Sequence, residues 1–176
     1  MKKFLFSAFA FVALAFASCS ESGGVVEKGD YTFESSRLMF EYNLVGDFAN
    51  MVEVIPSTTL PTTNGSSASS SDGTKHTLVV SNIKCPAKFD VVYIFKPKKS
   101  AVVEENKNYE YTANYNFSIT RNFSDNTHVT GDTGSETLTG VIPGKEMKSF
   151  FEKYGTQTFS FTLSADGFLH IEEEEN

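Results

Sequence analysis

Residues 109–120 read Tyr-Glu-Tyr-Thr-Ala-Asn-Tyr-Asn-Phe-Ser-Ile-Thr, and they divide their side chains strictly between two sets. Tyr109, Tyr111, Ala113, Tyr115, Phe117 and Ile119 fall on one face of an extended chain. Glu110, Thr112, Asn114, Asn116, Ser118 and Thr120 fall on the other. Alternation of period two over this length predicts a strand with one face on a core and one in water. Tyrosine, phenylalanine and isoleucine suit a pleated, half-buried surface, whereas Asn and Thr are weak helix formers. The aromatic face reads as core rather than as a sugar-stacking platform, since Tyr109, Tyr111 and Tyr115 alternate with polar residues and the chain has no tryptophan.

Working outward, other segments repeat the pattern. Leu38, Phe40, Tyr42 and Leu44 alternate with Met39, Glu41 and Asn43 after an extended start at Tyr31–Phe33. Met51–Ile55 reads as a short strand closed by Pro56, and His76–Ile83 as another. Phe89–Phe95 is almost continuously apolar, as a central strand would be. Ala101–Val103 suggests a short extended piece. Beyond the Tyr109 strand, Thr127–Thr130 and Glu136–Ile142 read as two strands separated by a Gly131–Gly134 turn.

One helix is expected. Met147, Phe150, Phe151 and Tyr154 stand at i, i+3, i+4 and i+7, with Gly155 where a left-handed cap is favoured. The chain then closes in a hairpin around Asp166-Gly167. A three-residue loop of Ala165-Asp166-Gly167 sets Leu163 opposite Leu169 and Phe161 opposite Ile171, so both apolar pairs share a face. That register turns His170 away from the apolar face, and Glu172–Glu175 forms an acidic tail that discourages edge pairing.

Roughly nine strands and one short helix predict an all-β fold, an antiparallel immunoglobulin-like β-sandwich, with a partly closed barrel as the alternative. Ser57–Thr74 is rich in serine, threonine and glycine and poor in apolar groups, and is expected to be a mobile loop. The segment before it is too small for its own core, so residues 30–176 are expected to form a single domain.

The beginning of the chain carries a different signal. Lys2 and Lys3 precede the apolar run Phe4–Ala17, broken only by Ser7. The run is shorter than the ~20 residues of a membrane-spanning helix and fits a secretory signal. It ends Phe16-Ala17-Ser18-Cys19, which resembles the lipobox of bacterial lipoproteins, with Phe16 standing where that family usually has Leu. The resemblance implies cleavage of residues 1–18 and a diacylglycerol on the sulfur of Cys19. It also implies a location at the outer membrane, on either its periplasmic or its outer face. Residues 19–29 are small and polar, as a flexible tether should be. The whole arrangement is similar to small β-sandwich lipoproteins of Bacteroides-type bacteria.

Charge and cysteine content narrow the chemistry. Loss of residues 1–18 removes two lysines and no acid, so the net charge deepens from −7 to −9. A field of that sign argues against nucleic acid as a partner. With Cys19 modified, only Cys85 remains, and it reads as a small buried apolar residue, with pairing between chains as the alternative. Asp125, Asn126 and Asp132 lack calcium-loop spacing and suit turns. No G-x-S-x-G, H-E-x-x-H, P-loop or paired-cysteine motif occurs, and His76, His128 and His170 share no ligand spacing. The sequence therefore assigns no catalytic, metal-binding or cofactor-binding residue. The chain is expected to be a non-catalytic binding or adhesion module, with a glycan or an envelope protein as ligand. An accessory subunit of an envelope complex is the alternative, ahead of a small hydrolase.

Overall fold

A computed structural model describes residues 31–169, which form two antiparallel sheets packed face to face. In chain order the elements are β1 (Phe33–Val45), α1 (Asp47–Met51), β2 (Val52–Thr58), β3 (Ser66–Asp72), β4 (Lys75–Ile83) and β5 (Ala87–Pro97). They continue with β6 (Asn108–Phe123), β7 (His128–Pro143), α2 (Met147–Tyr154) and β8 (Thr156–Leu163). The larger sheet has the order β3-β4-β1-β6-β7, and the smaller one β2-β5-β8. The fold is an all-β sandwich with open sheet edges, so the barrel alternative is excluded.

The immunoglobulin layout places strands A-B-E-D against C-F-G. Here those positions are filled by β6-β1-β4-β3 and β2-β5-β8, with β7 added beyond β6. The hairpin β6–β7 is thus inserted between the strands at the F and G positions. A late strand thereby occupies the place that the first strand usually takes.

The period of two dictates what is buried. All six apolar residues of the 109–120 stretch are buried, as are Leu38, Phe40, Tyr42 and Leu44 of β1. From the opposite sheet come Phe89, Val91, Tyr93 and Phe95 of β5 and Phe159, Phe161 and Leu163 of β8. Phe40 lies at the centre. Its ring centroid stands 4.7 Å from Phe159, 5.5 Å from Tyr93, 6.1 Å from Phe161 and 6.2 Å from Tyr115. The phenol of Tyr93 would be costly to bury unpaired. It donates toward the carbonyls of Phe40 (3.3 Å) and His76 (3.4 Å).

Several expectations are corrected. Residues 57–74 do not form one loop: Ser66–Asp72 is strand β3, paired along its length with β4 and exposed at every residue. A strand needs only backbone partners, and composition reads side chains, so the serine run concealed it. Residues 128–130 and Glu136–Ile142 belong to the single strand β7, which begins after Thr127 and absorbs Gly131–Gly134 through a register shift opposite Ser118–Thr120. β2 runs through Pro56, which is tolerated because β2 is an edge strand. Ala101–Val103 is not a strand, and the five-residue α1 was not anticipated. Gly155 ends α2 in a right-handed conformation (φ −65°). Glycine is required there because a Cβ would stand 2.4 Å from the carbonyl oxygen of Phe151.

The terminal turn follows the expected register. Leu163 bridges Leu169, and Gly167 has a positive φ of 81°. A side chain at Gly167 would also meet Ser36 Oγ and the ring of Phe33. The Phe161–Ile171 pairing, His170, the acidic tail, residues 1–29 and Cys19 lie outside the described residues.

Phe40→Ala is expected to cost about 3–5 kcal/mol, the range for truncating a fully buried aromatic. Urea unfolding measures it, and a loss under roughly 1 kcal/mol would contradict the central place given to this ring.

Candidate functional site

Every strand that buries one set of side chains must display the other. On the larger sheet the displayed set is mostly polar, with Met39 and Val79 side by side among it, and strand register gathers the polar residues into rows. One row runs Asp72, Lys75, Asn43, Asn114, Thr137 across β3, β4, β1, β6 and β7. The next runs Ser70, Thr77, Glu41, Asn116, Ser135. A depression of about 430 Å³ opens over the middle of these rows, lined by Glu41, Asn43, Thr74, Lys75, Asn114 and Asn116.

Hydrogen bonds set what this lining can offer. Lys75 Nζ pairs with Glu41 Oε1 at 2.5 Å, so the two charges of the site largely cancel. Thr137 Oγ1 donates to Asn114 Oδ1 at 2.7 Å, which fixes that amide with its NH2 group as the remaining polar end. Asn43 Oδ1 is shielded from solvent and has no hydrogen-bond partner among the described residues.

The hairpin turn between β3 and β4 forms one wall. Gly73 takes a left-handed φ of 59°, and the Thr74 carbonyl accepts the Leu44 N–H at 3.0 Å, holding the turn against the end of β1. Behind it, His76 points into the edge of the core and its Nδ1 meets Ser71 Oγ at 2.6 Å. Burial, with Lys98 second, pushes the pKa of His76 below its ordinary value.

The residues singled out in the sequence are dispersed. His128 is exposed at the start of β7, its Nδ1 3.0 Å from Asn122 Oδ1, and does not approach His76. Asp125 accepts from the Thr127 N–H (2.9 Å) and hydroxyl (2.6 Å), the turn role expected of it. Asp132 Oδ2 accepts the Leu169 N–H at 2.7 Å. Cys85 is half-buried, its Sγ 3.7 Å from Ser36 Oγ, and burial pushes its pKa up. Among the described residues, no group of three His, Cys, Asp or Glu side chains could hold a metal ion. The lining of the depression escaped sequence reasoning. Glu41, Asn43, Asn114 and Asn116 were legible as outward-facing, but nothing in the chain said that β1 and β6 are neighbours.

No protein-family model matches the chain, and it matches neither a curated protein nor a solved structure.

His76 gives the hairpin wall a pH dependence whose sign follows from its lowered pKa. Above the unfolded value of 6.5 the ring is neutral in both states. As pH falls through that value the unfolded chain takes up a proton that the folded chain resists, so stability drops. Denaturation midpoints should therefore fall between pH 7 and pH 5, and His76→Gln should lessen that fall. An equal fall in both proteins would refute this assignment.

Proposed function

We propose that the chain is a lipid-anchored protein of the bacterial cell envelope that acts by binding rather than catalysis. The outer face of the five-stranded sheet is its recognition surface. The anchor is the diacylglycerol expected on Cys19, and residues 19–29 give the sandwich reach from the membrane. Several acyl chains at ~0.8 kcal/mol per buried methylene hold a protein firmly without any spanning segment. The observation that carries the recognition surface is the pair of cross-strand polar rows with a depression at their centre. A ligand there meets donors and acceptors fixed on rigid strands, which lowers the ordering cost of binding. The ligand belongs to the envelope or its surroundings, as a glycan or as a protein, and the net negative charge disfavours nucleic acid.

A second reading, an accessory subunit of an envelope complex, draws on β3. This strand lies at the sheet edge with every side chain exposed and no charge before Asp72. Natural edges are usually protected by charge, proline or a bulge, so such a strand suits pairing with a partner's backbone.

Two experiments separate these statements. Cys19→Ala should move the protein from the membrane fraction to the soluble fraction, and continued sedimentation with lipid would refute the anchor. Affinity capture from solubilised envelope should lose its ligand with Asn116→Arg and keep it with Ser67→Lys plus Ser69→Lys. The reverse pattern would favour the accessory reading over the sheet face.

A further inference from the structure

We infer that the depression between β4, β1 and β6 is a site for a neutral, hydroxyl-rich ring, meaning a glycan residue that presents adjacent hydroxyls. The inference rests on the reading of this face as the recognition surface and adds the chemical class of its ligand. Its volume, about 430 Å³, lies within the ~300–1,000 Å³ typical of small-ligand sites. Each of its six lining residues carries a polar group on a carbon stem that supplies the rest of the wall.

The polar groups are of complementary kinds. Glu41 spends one carboxylate oxygen on Lys75, and a carboxylate retains acceptor capacity on its second oxygen. Asn114 spends its carbonyl on Thr137, which leaves an NH2 group with two donors. Asn116, exposed in the next row, supplies an amide of both characters. A hydroxyl donates and accepts at once, so two neighbouring hydroxyls can give to Glu41 and take from an asparagine together. Asn43 adds a shielded, unpaired carbonyl oxygen, and its terminal torsion is of the soft kind that could turn it toward a bound donor.

The same groups select against other ligands. An apolar ligand would strip water from them and return no hydrogen bonds. A carboxylated or phosphorylated one would meet Glu41 and the negative field of the chain, while the one lysine present is already paired. The aromatic rings of the strands beneath face the core, so the site works by hydrogen bonding without ring stacking.

The test titrates the full chain, purified in detergent, with methyl α-mannopyranoside, methyl β-glucopyranoside and methyl β-galactopyranoside. Glucuronic acid serves as the charged comparison. The readout is the side-chain amide resonances of Asn43, Asn114 and Asn116. At least one neutral glycoside should shift Asn114 and Asn116 saturably, and glucuronic acid should bind at least tenfold more weakly. Asn114→Ala and Asn116→Ala should each weaken binding at least tenfold. Asn43→Ala should also weaken it, with a melting temperature unchanged or raised because an unpaired carbonyl is removed. Saturable binding that survives Asn114→Ala and Asn116→Ala would overturn the site. Should no glycoside bind while a captured protein partner is lost with Asn116→Arg, the glycan assignment falls and the recognition face stands. Should neither occur, both fall.

Discussion

The sandwich depends on a seam of aromatic rings between its sheets. Phe40, Tyr42 and Tyr115 of the larger sheet meet Tyr93, Phe159 and Phe161 of the smaller one at centroid distances of 4.7–6.1 Å. Each buried aromatic removes on the order of 150–250 Å² from water, and favourable ring pairs add ~0.5–1.5 kcal/mol beyond that. Because the rings come from β1, β5, β6 and β8, the seam ties together strands far apart in the chain. It also fixes their register, since a shift of one residue would turn each of these rings outward.

That constraint reaches the outer surface. Once Tyr42 and Tyr115 are committed to the seam, Glu41, Asn43, Asn114 and Asn116 have no choice but to face outward, in rows set by the same pairing. The Glu41–Lys75 pair within those rows is too exposed to add much stability, since such pairs typically contribute ~0–1 kcal/mol. Its effect is on local charge, which it nearly cancels. The hairpin that carries Lys75 is in turn held by the Thr74 carbonyl and the Ser71–His76 hydrogen bond.

How much of this could be read from the chain follows from the range of each signal. The strand faces were legible because period two is local: Tyr109 through Ile119 announces its buried side without reference to any neighbour. The closing turn was legible because two leucines and a glycine admit one economical register. The serine strand β3 was not, because its stability comes from the ladder with β4 and from the turn, neither of which leaves an apolar trace. The long β7 was also divided wrongly, since glycines that usually mark turns can sit inside a strand opposite a register shift. The candidate site lay further out of reach. Its residues were visible singly, but their convergence depends on β1 lying between β4 and β6, a pairing of distant segments.

β3 has a consequence of its own. Apart from Ser71, whose hydroxyl meets His76, its side chains bury nothing, so the strand places little demand on which amino acids occupy it beyond length and the freedom of its backbone to pair. Mutational drift should therefore run fast there while the layers beneath stay fixed, giving related chains a variable ribbon along one margin of a constant frame. For an engineer the same ribbon is a natural graft point, where a foreign epitope could be spliced in without disturbing the packing that keeps the molecule folded.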